Sequence, residues 1–305
     1  MPRVSVLIPS RNEQFLVPTV QDLLAKARGD VEICVCVEGY WPQPPIPDDP
    51  RVKILHHGSP KGMRPAINAL AQIATGDYFL KSDAHCMWDE GWDLKLIQDY
   101  HEDNWMLIPR RYPLDPINWC TEQRTDHKYP IDYSYIVEPF HAYGDSTAGL
   151  HATQWQARRE ARKEIPIDKT LGSQGSAYFV SRKCWEWLGG LDKSLFGSFW
   201  FEDLELGMKA WLRGGAQMVT KNTHFHHLYK GKRFGRGYST KGMGHENALL
   251  YSTWLFMTDQ PLKGRTRTFR SLIEEFAPVP TWPEDLDEVF ARARRECRNP
   301  YAVAA

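Results

Sequence analysis

Short apolar stretches alternate with amphipathic stretches through the first third of the chain. Apolar runs of strand length occupy residues 4–8, 31–37, 52–55 and 77–81. Between them, apolar residues recur at helical spacing over residues 16–27 and 66–74. Alternation of strands and helices predicts an α/β fold in which a mostly parallel sheet carries helices on both faces.

The pattern changes after residue 110. Residues 110–170 lack a clear period apart from one charged helical stretch at 154–164. Strands are then predicted at 176–181 and 217–220, and helices at 183–188, 203–213, 247–257, 267–276 and 284–296. We therefore expect one domain over residues 1–250 and a helical C-terminal extension over residues 251–305.

The composition excludes several classes of protein. The 38 basic and 38 acidic side chains balance, which argues against binding to nucleic acid or membranes by bulk charge alone. No apolar run reaches the roughly 18 residues of a membrane helix, and the first residues lack a signal-peptide pattern. Six cysteines without a C-x-x-C pair suit reduced thiols, so we expect a cytoplasmic protein without a membrane segment.

Asp83 and His85 follow the strand predicted at 77–81. Ligands of parallel sheets bind at the carboxyl ends of the strands, where Arg11 and Glu38 are also expected. On extended backbone, residues two apart face the same side, so Asp83 and His85 can reach one metal ion. Mn²⁺ accepts this mixture of oxygen and nitrogen, whereas an Asp at a strand end is also typical of a turn.

Three histidines, His224, His226 and His227, lie together after the strand predicted at 217–220. They are compatible with a metal site, a proton relay or the polar end of a strand. A return of this segment to the sheet edge would place one of them beside Asp83. A structural zinc site is disfavoured because no second ligand pair has metal-binding spacing.

Two further stretches carry candidate chemistry. Glu202 and Asp203 open a predicted helix, where acids suit the helix dipole but can also take a proton from an incoming hydroxyl. Residues 221–245 hold six Lys/Arg and no acid, with glycines at 231, 235 and 237. Such a loop either closes over phosphate or is simply solvated, and it is not a P-loop.

Taken together, these motifs resemble a known family. VSVLIPSRNE at 4–13, the strand ending at Glu38, residues 62–68 and Asp83-x-His85 resemble family 2-type glycosyltransferases with the Rossmann-like GT-A fold. WFEDLELGMKAWLRGG at 200–215 and the later H-x-x-H resemble the polypeptide N-acetylgalactosaminyltransferases. The resemblance implies a nucleotide-sugar-binding half over residues 1–90 and an acceptor half over 91–250.

The resemblance also implies an activity and its residues. The expected reaction is metal-dependent transfer of a sugar from a nucleotide-diphosphate sugar, expected to be UDP-linked, to a hydroxyl acceptor. Asp83, His85 and His227 would hold Mn²⁺ or Mg²⁺, and Asp203 and Glu202 would be catalytic. The implied donor-binding residues are Pro9, Arg11, Glu13, Glu38, Arg64, Ser82, Asp83, Lys230 and Arg233.

The chain departs from the family pattern at two positions. Glu38 stands where relatives usually have Asp, and Glu202-Asp203 stands where the N-acetylgalactosaminyltransferases have Glu-Asn. Glu-Asp instead resembles inverting family 2 enzymes, whose aspartate is the base. The sequence leaves open whether the reaction inverts or retains, which acid is the base, and whether His224 or His226 replaces His227.

The motifs do not identify a single acceptor. A weaker similarity, strongest at 221–238, is to short transferases of tailed phages, some of which glycosylate hydroxymethylated pyrimidines in DNA. DNA is therefore one expected acceptor, and a glycan or a protein is the other; the sequence does not indicate the oligomeric state. The alternative function is a non-catalytic module that binds sugar nucleotide or nucleic acid on the same fold.

Overall fold

A computed structural model of the protein describes residues 1–123, 129–141 and 149–302. The strands in chain order are β1 (Arg3–Ser10), β2 (Asp30–Glu38), β3 (Val52–His57), β4 (Tyr78–Ser82), β5 (Cys86–Trp88), β6 (Trp105–Asp115), β7 (Cys120–Thr121), β8 (Ser134–Ile136), β9 (Ala152–Gln154), β10 (Ile167–Lys169), β11 (Ala177–Ser181) and β12 (Ala216–His227). The helices are α1 (Leu16–Lys26), α2 (Met63–Ile73), α3 (Trp92–Asp99), α4 (Gln156–Ala161), α5 (Arg182–Leu188), α6 (Lys193–Phe196), α7 (Glu202–Leu212), α8 (Gly231–Phe234), α9 (His245–Met257), α10 (Phe269–Phe276) and α11 (Asp287–Glu296). Within these described ranges, no helix combines the length and the apolarity that crossing a membrane requires.

One large sheet forms the centre of the molecule. Its strand order is β10–β12–β6–β11–β4–β1–β2–β3, with β5 beside β12 and β7 beside β6. The pairs β4–β1, β1–β2 and β2–β3 are parallel, and so is β6–β12. Strand β11 enters antiparallel between β4 and β6. The sheet is mixed and mostly parallel, which confirms the predicted α/β fold class.

Alternate side chains of the central strands enter two separate apolar layers, as the period of a strand requires. One layer joins β1 and β2 to helix α1 through Val4, Val6, Ile8, Ile33, Val35, Leu16, Val20 and Leu23. The other joins the same strands to helix α2 through Leu7, Cys34, Cys36, Ala66, Ile67 and Leu70. Helices therefore cover both faces of the sheet, and Cys34 and Cys36 share one face.

Strands β6 and β12 differ most from the sequence-based expectation, which also lacks the short strands β5, β7 and β10. Strand β6 lies between β12 and β11, although Pro109, Arg110 and Arg111 interrupt its apolar pattern. Strand β12 continues beyond the predicted end at residue 220, and its register against β6 shifts between Thr220 and His224. This irregularity breaks the period of two, which explains why the pattern after residue 220 does not indicate a strand.

The C-terminal helices pack onto the same core as the sheet. Tyr251 and Leu255 of α9, Phe269 of α10 and Phe290 of α11 belong to the apolar layer that also contains α1. The predicted helices at the C-terminus are thus present and are held by the core of the domain. The boundary drawn at residue 250 stays a prediction.

Candidate functional site

A cleft of about 1000 Å³ opens at the carboxyl ends of β1, β2 and β4. The sequence predicts a ligand site at this edge of the sheet. Ten of the predicted site residues line the cleft: Pro9, Arg11, Glu13, Glu38, Asp83, His85, Glu202, Asp203, His227 and Lys230. Segments far apart in the chain therefore contribute to one cavity.

Asp83, His85 and His227 meet on one side of this cleft. Their candidate ligand atoms all lie within 4.8 Å of one another. Both imidazoles turn a ring nitrogen towards the same oxygen, because Asp83 Oδ2 lies 3.1 Å from His227 Nε2 and 3.7 Å from His85 Nε2. The arrangement can hold a divalent cation through one oxygen and two nitrogens.

Strand pairing explains how His227 reaches residues more than 140 positions earlier. Strand β5 follows His85 directly and pairs antiparallel with the end of β12, so that Cys86 lies opposite His227. The backbone N–H of Leu228 also donates to the carbonyl of His85, at 3.2 Å. The hydrogen-bond ladder therefore places His227 beside Asp83 and His85.

Glu13 orients His85 by contacting the ring nitrogen that faces away from Asp83. Its Oε2 lies 3.1 Å from His85 Nδ1, and its carboxylate also pairs with Lys230. If Nδ1 carries the proton and donates it to Glu13, Nε2 keeps its lone pair on the side of Asp83. Carboxylates hold metal-binding histidines in this way.

The protonation states of the cluster suit a metal site. Burial alone would raise the pKa of Asp83, but Lys81 and the two histidines outweigh it and hold that pKa well below its usual range. Burial lowers the pKa of His227 to about 3, despite its hydrogen bond to Asp83. Asp83 is therefore ionised and His227 neutral at neutral pH, and these are the forms that bind metals.

Lys81, which sequence analysis did not single out, connects this cluster to the two acids of α7. Its side chain is 1% exposed, and its Nζ lies 2.6 Å from Asp83 Oδ1 and 3.2 Å from Glu202 Oε1. It also donates to the carbonyl of Gly175. Burial would lower the pKa of Lys81, but Asp83 and Glu202 reverse this and raise it.

Glu202 and Asp203 form the first turn of α7 at the cleft. Trp200 and Phe201, just before them, have φ of 65° and 55°, a left-handed conformation that non-glycine residues seldom adopt. Glu202 is 4% exposed, whereas Asp203 is half-buried. Burial, and after it the charge of Glu202, raises the pKa of Asp203 to about 7.

Glu38 lies at the other end of the cleft, where β2 finishes. Its carboxylate accepts hydrogen bonds from the backbone N–H groups of Lys61 and Gly62, at 2.9 and 3.2 Å. His57 Nδ1 of the neighbouring strand lies 3.2 Å from the same oxygen. The side chain is 4% exposed and is thereby fixed in position.

The basic loop after β12 crosses the mouth of the cleft. Arg11 lies over the ring of Tyr238, with its guanidinium carbon 4.5 Å from the ring centroid, and Asn12 donates to the carbonyl of Gly237. Arg236, at 5.2 Å from the ring centroid of Trp200, lines the cleft together with Tyr238. The sequence predicts that basic residues of this loop face phosphate, with Lys230 and Arg233 as the donor-binding residues; Lys230 and Arg236 line the cleft.

Three predicted donor-binding residues are not brought to the cleft surface. Arg64 is fully buried, where it pairs with Glu205 and donates to the carbonyl of Trp200 at 2.8 Å. Ser82 is also fully buried, and its hydroxyl donates to the carbonyl of Asp83 at 3.0 Å. Arg233 packs against Phe234 outside the cleft lining. Their assignment to donor binding stays a prediction that the geometry does not support.

The side chains of His224 and His226, which are close to His227 in the sequence, do not join Asp83. His226 Nε2 lies 2.8 Å from Thr121 Oγ1, and its ring stacks on Tyr112. His224 faces Asp89, with Nδ1 3.5 Å from Oδ2. Side chains alternate along β12, so His227 turns to the opposite side from His226. Of the three histidines on this strand, His227 is therefore the one that meets Asp83.

Few aromatic side chains in the described part of residues 110–171 reach the cleft. Tyr129 lines it, whereas Tyr133, Tyr135 and Trp155 are buried in the core. Residues 124–128 and 142–148 lie outside the described residues. Arg111 also lines the cleft and is a cation that sequence analysis missed, because β6 itself was not predicted.

Known proteins of similar sequence share this region. The sequence profile described as "Glycosyl transferase family 2" matches residues 5–165, which is more than half of the chain. Polypeptide N-acetylgalactosaminyltransferase 5 of Caenorhabditis elegans is 24% identical over 246 residues, covering 75% of this chain and 37% of the relative. Polypeptide N-acetylgalactosaminyltransferase 12 of Mus musculus is 23% identical over 247 residues, covering 75% and 40%. The chain thus spans about two fifths of the length of these relatives.

Solved structures share the fold. The crystal structure of GalNAc-T7 with UDP, GalNAc and Mn²⁺ has a TM-score of 0.64 at 16% identity, covering 97% of this chain and 55% of that one. Staphylococcus aureus TarS 1–349 in complex with UDP has a TM-score of 0.51 at 11% identity, covering 88% and 68%. These likenesses confirm the predicted GT-A-type fold, and the profile match confirms the predicted family. The chain belongs to glycosyl transferase family 2.

Proposed function

We propose that this protein transfers a sugar from a nucleotide-diphosphate sugar, UDP-linked in the first instance, to the hydroxyl of an acceptor. The observation that carries the proposal is the convergence of Asp83, His85 and His227 with the acid pair Glu202–Asp203 in one cleft. A family 2 chain with both groups in place has the means to activate the acceptor and to assist the leaving diphosphate. UDP is the nucleotide named in both similar structures, which makes UDP-sugars the first donors to test.

Asp83, His85 and His227 would hold a divalent cation, with Mn²⁺ as the first candidate. The oxygen–nitrogen–nitrogen donor set suits a borderline cation better than Mg²⁺, which prefers oxygen alone. The residues fit such an ion because Glu13 leaves the Nε2 lone pair of His85 directed at Asp83. When bound, the ion would offset the charge that develops on the leaving diphosphate.

The chain also supplies its own cations to the diphosphate. Lys230 and Arg236 come from the basic loop and Arg111 from β6, and all three line the cleft. Charges held in place before the reaction stabilise a leaving anion without the cost of reorganising solvent. Arg11 and Glu38, at the ends of β1 and β2, would position the ribose and the base.

Asp203 is the better candidate for the base of an inverting transfer. As the anomeric C–O bond breaks and the acceptor oxygen bonds to that carbon, the acceptor proton would pass to a carboxylate in the cleft. The carboxylate of Glu202 is buried and paired with Lys81, whereas Asp203 is more exposed to the cleft. Glu202 would therefore position and polarise Asp203 rather than accept the proton itself.

The experiment is a donor panel. The protein is incubated with UDP-, GDP- and other nucleotide sugars and Mn²⁺, and release of nucleoside diphosphate is followed with and without chelator. We expect metal-dependent release with a UDP-sugar that is lost in Asp83→Ala and kept in Asp89→Ala, an acid of the same region outside the cluster. Donor binding without turnover under any metal would favour the non-catalytic alternative.

A second variant tests the base. Asp203→Asn should lower turnover on the order of 10²–10⁴-fold, the usual contribution of a general base, while donor binding persists. The anomeric configuration of the product, measured by NMR, separates inversion from retention. A retained configuration would contradict the role given to Asp203, since the leaving phosphate could then take the proton.

The acceptor and the location complete the proposal. From the sequence resemblance we include hydroxymethylated pyrimidines in DNA as acceptors, and glycans and peptides as the alternatives; each is tested with the best donor. A cytoplasmic location is proposed from the cysteines, which are all unpaired, with Cys34, Cys36, Cys86 and Cys184 buried.

A further inference from the structure

A second group of side chains that could hold a metal ion lies at the ends of β2 and β3, on the far side of β1 from β4. Cys36 and Glu38 are two apart on β2 and face the same side, and His57 ends the neighbouring strand β3 opposite Glu38. Candidate ligand atoms of the three side chains lie within 4.8 Å of one another. All three are largely buried, and Glu38 also lines the cleft, which gives an ion a route from solvent.

The distances within this group match the edges of a zinc tetrahedron. Cys36 Sγ lies 3.5 Å from His57 Nδ1, and His57 Nδ1 lies 3.2 Å from Glu38 Oε1. Bonds of about 2.3 Å to sulfur and about 2.05 Å to nitrogen or oxygen, at tetrahedral angles, place sulfur and nitrogen roughly 3.5 Å apart and nitrogen and oxygen roughly 3.3 Å apart. Both separations agree with these edges, so His57 is already spaced from Cys36 and from Glu38 as zinc ligands are.

The donor set selects a softer ion than the cluster around Asp83. A thiolate, an imidazole and a carboxylate together favour Zn²⁺ and related thiophilic cations, whereas Mn²⁺ favours oxygen and nitrogen. We propose that Cys36, Glu38 and His57 form a second metal site that binds Zn²⁺, separate from the cluster of Asp83, His85 and His227.

Zn²⁺ bound at this site would affect the binding of the sugar-nucleotide donor. Glu38 is held by the backbone N–H groups of Lys61 and Gly62, and a metal bound to the same carboxylate would compete with these contacts. If the proposed function holds, Glu38 positions the donor, and Zn²⁺ should then inhibit transfer by competing with the sugar nucleotide. This consequence rests on the proposed function, but the binding of the metal does not.

The test uses Co²⁺ as a spectroscopic substitute for Zn²⁺ in the protein. Co²⁺ bound to a thiolate in a tetrahedral site gives a charge-transfer band in the near ultraviolet and strong absorption in the visible. We expect both features in the wild type, their displacement by Zn²⁺ but not by Mn²⁺, and their persistence in Asp83→Ala. We expect them to be lost in Cys36→Ser and in His57→Gln.

Cys34→Ser is the matched control, because Cys34 lies two residues earlier on the same buried face of β2 and outside the group. It should keep the cobalt spectrum, and the circular dichroism of each variant shows whether it is folded. A wild type without the thiolate band, or a band that survives in both Cys36→Ser and His57→Gln, would overturn the site. Zinc binding without inhibition would leave the site in place and contradict only the role of Glu38 in donor binding.

Discussion

Glu202 and Asp203 are adjacent carboxyl groups in very different surroundings. Lys81 lies 3.2 Å from Glu202 Oε1 and compensates the charge of Glu202. Asp203, in contrast, is affected by its own burial and by the negative charge of Glu202. Lys81 of β4 and Arg111 of β6 also face this pair, and they act against the rise in the pKa of Asp203. Two adjacent acids thus have different surroundings, a pattern that accompanies distinct acid and base roles.

This difference predicts a pH profile. Burial and Glu202 raise the pKa of Asp203 to about 7, and a base must be ionised to accept a proton, so kcat/KM should fall as the pH drops below about 7. Glu202→Gln removes the neighbouring negative charge, which lowers the pKa of Asp203 and moves this limb of the profile to lower pH. The profile is measured at saturating Mn²⁺. The residual activity of Asp203→Asn should lack the limb, and an unmoved limb in Glu202→Gln would refute the coupling.

Some residues of the site could be predicted from the sequence and others could not. Glu38, Asp83 and His85 follow buried strands, so their place at one edge of a parallel sheet follows from the pattern alone. Lys81 lies inside an apolar strand, and a charge in such a run is a signal that a buried partner exists, but the partner Glu202 is 121 positions away. Arg111 carried no signal, because its strand has no regular apolar period.

At the scale of elements, the backbone at the start of α7 determines the orientation of Glu202 and Asp203. Trp200 and Phe201 turn the chain in a left-handed conformation, and Arg64 of α2 donates to the carbonyl of Trp200 while pairing with Glu205. Such conformations cost on the order of 1–3 kcal/mol per residue and persist where surrounding contacts enforce them. Arg64 thus supports the start of α7, on which the acid pair lies.

Arg64→Met should reduce the free energy of unfolding by about 1–3 kcal/mol, because the buried Glu205 carboxylate loses Arg64 as a partner but keeps Lys209. Both side chains of this ion pair are 0% exposed. Arg270→Met is the control, since Arg270 pairs with Glu274 on an exposed helix surface and should change stability far less than Arg64→Met does. Chemical denaturation measures both, and equal losses in the two variants would contradict the structural role of Arg64.

The close approach of the chain at Gly175 gives a test of how the acid pair is held. A methyl group on Gly175 would collide with the carboxylate of Glu202, whereas one on Gly58 would meet no atom within 4 Å. Gly175→Ala should therefore displace Glu202 and lower turnover on the order of 10²-fold, as small misplacements in active sites do. Gly58→Ala should retain wild-type turnover. Full activity in Gly175→Ala, with the fold intact by circular dichroism, would show that the position of Glu202 is not critical.

At the scale of the whole molecule, the site depends on pairings between distant segments. Sequence patterns predicted the parallel half of the sheet, where each strand is a regular apolar run. They did not predict that β5 and β6 flank β12, because these pairings join segments more than 100 residues apart. His227 was therefore identified by resemblance, and only the fold shows why His227 rather than His226 meets Asp83.

The same long-range contacts connect the metal cluster to the basic loop. The carboxylate of Glu13 contacts both His85 of the metal cluster and Lys230 of the loop. A ligand that changes the position or charge of one of these partners therefore also affects the other. If Mn²⁺ binds the cluster and Lys230 binds the diphosphate, Mn²⁺ should raise the affinity for UDP. Coupling free energies are reciprocal, so UDP must raise the affinity for Mn²⁺ by the same factor, typically about 5–150-fold.

Calorimetric titrations of each ligand, with and without the other, measure this factor. Asp83→Ala should abolish it, because one of the three ligands is missing, while weak binding of UDP persists through Arg11 and Glu38. Lys230→Ala should weaken UDP binding but keep part of the coupling, since the metal ligands are intact. UDP affinity that is independent of Mn²⁺ in the wild type would mean that the cluster and the diphosphate do not meet, and the metal would then have no direct part in the departure of the nucleotide.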